Sequence, residues 1–117
     1  MSNYTDRELL ELAAEAAGID CEWNENFGKS GMMMLRNPPT YRLCFDPIND
    51  DGDAFRLALN LRIKFERHPI QPFVAAFSPN IVGRCEEPEE MCVNSATRRS
   101  IVRLAAMMGE MKRQEQE

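Results

Sequence analysis

The sequence has little of what metal, redox and catalytic sites are built from. It holds a single histidine, His68. Its four cysteines, Cys21, Cys44, Cys85 and Cys92, include no C-x-x-C pair, which removes the local spacing of zinc and dithiol sites. G-x-S-x-G, P-loop and H-E-x-x-H patterns are absent. No apolar run approaches the roughly 20 residues that span a bilayer. The polar start Ser2-Asn3-Tyr4-Thr5-Asp6 lacks the apolar core of a secretion signal. The expectation is a chain that stays in the cytosol, with reduced thiols serving as small core fillers. No catalytic residue, metal ligand or cofactor is assigned.

A cationic surplus is also missing. The formal net charge is -5, which argues against direct nucleic-acid binding, because phosphate neutralisation needs Lys and Arg. An acidic chain can instead face a basic protein surface, including one that normally holds nucleic acid. Membrane association is not expected. What is present suits one ordered domain over residues 1–117. The 44% hydrophobic and 28% charged fractions are those of an ordinary globular protein, not a disordered one.

The helices announce themselves. Thr5 and Glu8 form a capping box, and Leu9, Leu10, Leu12, Ala13, Ala16 and Ala17 follow at helical spacing. Gly18 suits a left-handed stop, so a helix is predicted over 6–17. A second helix is predicted over about 50–61, with Ala54, Leu57, Ala58 and Leu61 as its buried stripe. A third is capped by Asn94 or Ser95, with a core stripe of Ile101, Leu104, Ala105, Met108 and Met111. Arg99, Arg103 and Glu110 are expected on its opposite face, and residues 113–117 as a frayed polar tail.

Between the helices the signals are shorter. Cys21 to Gly31 reads as a loop or irregular hairpin tip. Met32–Leu35 reads as a strand paired with Tyr41–Phe45 across the Asn37-Pro38-Pro39 turn. Ile63–Glu66 alternates as a strand would. Phe73–Phe77 and Ile81–Arg84 flank Ser78-Pro79-Asn80 as a hairpin. Glu86 to Glu90 reads as an acidic loop. The expected fold is α+β: a small antiparallel sheet with three helices, the first and last on one face.

Few residues invite a functional reading. Asn49-Asp50-Asp51-Gly52-Asp53 resembles a calcium loop but fails on spacing. With its glycine at Gly52, an EF-hand loop would end at Ala58, where a bidentate glutamate is required. Helix capping accounts for these acids better. His68 has no nucleophile in a partnering motif. Arg98, Arg99 and Arg103 could grip phosphate or a partner's carboxylate, though a solvated helix face explains them too. Glu86, Glu87, Glu89 and Glu90 offer a second contact, and Trp23 an aromatic one. Core packing is the default for Met32, Met33 and Met34; a strand turns Met33 away from its neighbours, which makes one face a candidate partner surface.

Three blocks carry a resemblance. Phe45-Asp46-Pro47-Ile48-Asn49-Asp50-Asp51-Gly52-Asp53-Ala54-Phe55-Arg56-Leu57-Ala58 places an aromatic residue and an Asp-Pro pair before an Asn/Asp-rich turn and helix. Ser95-Ala96-Thr97-Arg98-Arg99-Ser100-Ile101-Val102-Arg103 and Asp6-Arg7-Glu8-Leu9-Leu10-Glu11-Leu12-Ala13 are the others. Together they cover about a quarter of the chain and resemble the NinX-like family of small bacteriophage and prophage proteins. The resemblance implies a phage origin and residence in a bacterial host's cytoplasm, and no particular chemistry. The resulting expectation is a non-enzymatic accessory protein that binds and inhibits or modulates a host protein. An anti-defence, anti-CRISPR-like inhibitor is one form of this. The alternative is a sponge for a small nucleotide signal, which would need Arg98, Arg99 or Arg103 to converge with an aromatic such as Trp23 or Tyr41 in a pocket between subunits of a homodimer.

Overall fold

A computed structural model describes residues 4–27, 31–37, 43–90 and 92–116. Helix α1 (Asp6–Ala17) starts as its sequence dictates. The Glu8 N–H donates to Thr5 Oγ1 at 3.2 Å, and the Thr5 N–H donates to Glu8 Oε1 at 3.0 Å. Gly18, at φ 70°, ends the helix in the left-handed conformation that costs glycine least. Leu9, Leu10, Leu12, Ala13 and Ala14 turn into the core.

Strands β1 (Cys21–Asn24) and β2 (Met32–Leu35) form a two-stranded antiparallel sheet, with Trp23 opposite Met33. Cys21–Asn24, expected in a loop or irregular hairpin tip, is a strand, and its Glu and Asn hide the alternation that points Cys21 and Trp23 inward. Met33 is buried and its neighbours only partly so, as strand alternation requires. The expected second partner of β2 reduces, among the described residues, to one bridge between Met34 and Cys44. Bonds from Leu35 N–H to Leu43 O and from Phe45 N–H to Met33 O flank it, both at 2.9 Å. Tyr41 and Arg42 lie outside the described residues.

The Asp-rich turn is a helix start. Asp50 caps α2 (Asp51–Leu61) by accepting from the Asp53 N–H at 2.8 Å. The buried Asp53 carboxylate accepts from the Asp46 N–H at 2.8 Å and from Arg56 Nη2 at 2.6 Å. Ile63 continues the helix cap, its N–H bonded to Ala58 O at 2.8 Å. That delays β3 to Lys64–Arg67, one residue later than the alternation suggests.

Strands β3, β4 (Phe73–Phe77) and β5 (Arg84–Pro88) form a second antiparallel sheet in that order, so the described residues form two small sheets where one was expected. The hairpin's second strand is Arg84–Pro88 and not Ile81–Arg84, and the supposed acidic loop is largely this strand. Its glutamates are tolerated because β5 is an edge with arginines beside it, and Pro88 sits at its last position. Val74, Ala76 and Cys85 face α3 and are buried.

Helix α3 (Val93–Gln116) is the spine, packing on α1, α2 and the sheet. It begins at Val93, ahead of the expected caps, and is helical through Gln116 where a frayed tail was expected. Lys112 Nζ donates to Glu15 O at 3.1 Å, and Arg113 pairs with the Glu15 carboxylate, which ties the last turns to α1. Ile101, Leu104 and Ala105 are buried as expected, whereas Met108 is half-buried and Met111 is 43% exposed.

Candidate functional site

A cleft of about 670 Å³ lies between α1, β5 and α3. Helix α3 supplies Arg99, Arg103, Met107 and Glu110, a stripe at helical spacing beside the buried one. Strand β5 supplies Arg84, Cys85 and Glu87, and the first helix and its lead-in supply Leu9 and Tyr4. Leu9, Ala106 and Met107 give it an apolar floor, and the charged groups form its rim.

The rim is internally paired. Arg103 Nη1 lies 2.8 Å from Glu87 Oε2 and 3.4 Å from Glu86 O. These two side chains are 25% and 13% exposed, so Arg103 does not project freely from the outer face as the helix pattern suggested. Arg99 Nη2 holds Asp6 Oδ1 at 3.0 Å with both side chains in solvent. Arg84 pairs with Glu86. Cys85 Sγ sits 3.3 Å from Met107 Sδ, and burial pushes its thiol up from the ordinary value while the Arg103 charge opposes that. Cys85 is a packed thiol, not an activated thiolate.

Of the residues singled out in the sequence, the cleft gathers Arg99, Arg103 and Glu87. Arg98 points elsewhere: its Nε donates to Ile48 O at 2.7 Å and its guanidinium pairs with Asp51, tying α3 to the start of α2. Glu89 is gripped by Arg67, with Arg67 Nε at 2.9 Å and Nη2 at 2.8 Å. Glu86 holds Arg84, and Glu90 is exposed. Trp23 is half-buried under the Arg7 guanidinium, 5.4 Å from its ring, and lies outside the cleft. The aromatic residue that joins the arginines is therefore Tyr4. Arg84, Tyr4 and Leu9 were not singled out as site residues in the sequence. The alternation of Arg84 with Glu86 was the available signal for the first.

His68 serves its turn: Nδ1 accepts from the N–H groups of Ile70 and Gln71, at 3.1 and 2.8 Å. Among the described residues no group of three or more His, Cys, Asp or Glu side chains is placed to hold a metal ion. No helix among them is long and apolar enough to cross a membrane.

Fold and site together define an α+β domain whose described residues form two small antiparallel sheets and a mixed-charge cleft. No family model, curated protein or solved structure matches the chain.

Proposed function

We propose that this chain is a phage-encoded, NinX-like accessory protein that acts without catalysis. In this reading it binds a bacterial host protein in the cytoplasm and inhibits or modulates it, and anti-CRISPR-like anti-defence activity is one concrete form. The phage origin rests on the sequence resemblance. The binding mode rests on one observation: the cleft joins an apolar floor of Leu9, Ala106 and Met107 to a rim of already paired arginines and carboxylates. Such a surface suits a protein side chain with an apolar stem and a charged tip. The exposed Arg99–Asp6 pair can open at little cost to meet a complementary charge, while the withdrawn Arg103–Glu87 pair stays in place.

The nucleotide-sponge alternative draws on Arg84, Arg99 and Arg103 sharing the cleft with Tyr4. Asp6 and Glu87 weigh against it, because a phosphate would have to displace both carboxylates.

The test is affinity capture from bacterial lysates with the wild type and a Met107→Glu variant, which charges the floor. One stoichiometric protein, captured by the wild type and lost with the variant, supports inhibition by binding. Raised thermal stability with nucleotides and no captured protein moves the reading to the sponge. Substrate turnover by the purified chain overturns both.

A further inference from the structure

The three-stranded sheet ends on β3, whose four residues are all exposed. Among the described residues no strand pairs with its outer edge. The ladder to β4 fixes what that edge offers. The His68 N–H donates to Phe73 O at 2.9 Å, so the alternating pairs Glu66–Ala75 and Lys64–Phe77 also exchange hydrogen bonds. The N–H and C=O groups of Phe65 and Arg67 consequently point outward, away from β4. Beside them, Phe65 (44% exposed) and Phe55 (56%) line a shallow groove with Ala54 and Ile101.

We propose that this edge pairs with the same edge of a second copy of the chain, antiparallel about a two-fold axis at Phe65, making one continuous sheet from two three-stranded ones. The register follows from the residues. To keep the helix-covered face continuous, side chains on the same face must oppose one another. Phe65 opposite its own copy satisfies that, and its outward N–H and C=O exchange both bonds across the axis. On the other face, Lys64 then lies opposite Glu66 of the second copy, and Glu66 opposite its Lys64. Centring on Glu66 fails twice: like charges oppose, and its amide already serves β4. A lysine alone guards an edge against pairing. Lys-x-Glu lifts that guard for its own copy in this register, which makes a second copy the occupant the charges select. The two Phe65 side chains meet on the helix-covered face, with Phe55 of each copy alongside.

The experiment is sedimentation equilibrium on the full chain and two single variants, Lys64→Glu and Glu66→Lys, with circular dichroism confirming each fold. The wild type is expected at twice the 13.4 kDa chain mass at high concentration. Each variant turns both cross-axis pairs into like charges and raises the dimer dissociation constant on the order of tenfold or more. An equimolar mixture of the two variants restores the dimer, because every cross-axis pair is again Lys opposite Glu. A wild type that stays monomeric at millimolar concentration overturns the proposal and leaves the edge to a different partner. A dimer indifferent to both substitutions, or a mixture that does not recover, overturns it as well.

Discussion

Gly109 of α3 lies directly against the Leu12 carbonyl of α1: a Cβ placed on it would stand 2.0 Å from that oxygen and 2.8 Å from its carbon. The obstacle is helix backbone, which cannot swing aside as a side chain would. The absent side chain lets α1 and α3 approach closely. Two effects oppose each other in Gly109→Ala. Alanine favours the helix by about 1 kcal/mol, while overpacking a close contact costs about 1–3 kcal/mol, or more where backbone must move. The clash is severe, so the net expectation is destabilisation, read as a lower urea midpoint. A midpoint equal to or above wild type would show that the helices do not pack this closely.

The Arg103–Glu87 pair spans α3 and β5 with most of both side chains withdrawn from water. Replacing either partner alone leaves a half-buried charge with a lost contact. Arg103→Met and Glu87→Gln are each expected to cost about 1–3 kcal/mol in chemical denaturation. The double variant is expected to cost less than the sum, since removing both charges removes the desolvation penalty with the attraction. Strict additivity in that cycle would mean that the two groups do not interact.

The helices were legible because their determinants are local: Thr5, Glu8 and Gly18 bracket α1, and Asp50 starts α2, all within a turn of what they cap. The strands were less so. Four-residue segments such as Cys21–Asn24 hold too few alternations to stand out, and Arg84–Pro88 hid its strand behind glutamates and a proline. The cleft was the least legible part. Arg99 pairs with Asp6 and Arg103 with Glu87 through contacts between distant parts of the chain, so their clustering depends on the tertiary fold. One clue was local: a glycine inside a long helix, at Gly109, marks a close crossing.

The Asp-rich turn separates capping from ion binding. Asp50 caps α2 and sits mostly in solvent, so Asp50→Ala is expected to cost about 1 kcal/mol. The Asp53 carboxylate is 6% exposed and holds both the Asp46 N–H and Arg56. Asp53→Ala is expected to cost about 2–3 kcal/mol, as charged hydrogen bonds do when removed. Asp50, Asp51 and Asp53 are all engaged by protein donors. Millimolar calcium is therefore expected to leave the thermal midpoint in place, and a clear upward shift would restore the calcium reading.

The capping box makes a pH prediction. The Thr5 backbone N–H, and then its hydroxyl, hold the Glu8 carboxyl below its ordinary value of 4.5. A carboxyl depressed on folding contributes stability that is present above the unfolded value and lost as pH falls through the folded one. The wild type should therefore melt above Glu8→Gln at neutral pH, and the two curves should converge as pH falls below about 4. A gap that persists unchanged into acid would assign the effect to something other than the carboxylate charge.

Thiol chemistry reports on packing around both sheets. Cys92 is exposed just before α3, Cys85 is buried beneath the cleft, and Cys21 is half-buried on β1. Burial pushes the Cys21 thiol up to about 11, the Arg36 charge opposing it, and burial also raises Cys85. Since the thiolate is the nucleophile, both should alkylate slowly in the native protein. Peptide mapping after timed iodoacetamide treatment is expected to find Cys92 modified first. Cys21 should lag, with a rate that keeps rising as the solution is made more alkaline, and urea should abolish the difference. Early native labelling of Cys85 would mean that its contact with Met107 opens readily, so that the cleft floor is not the packed surface on which the binding reading depends.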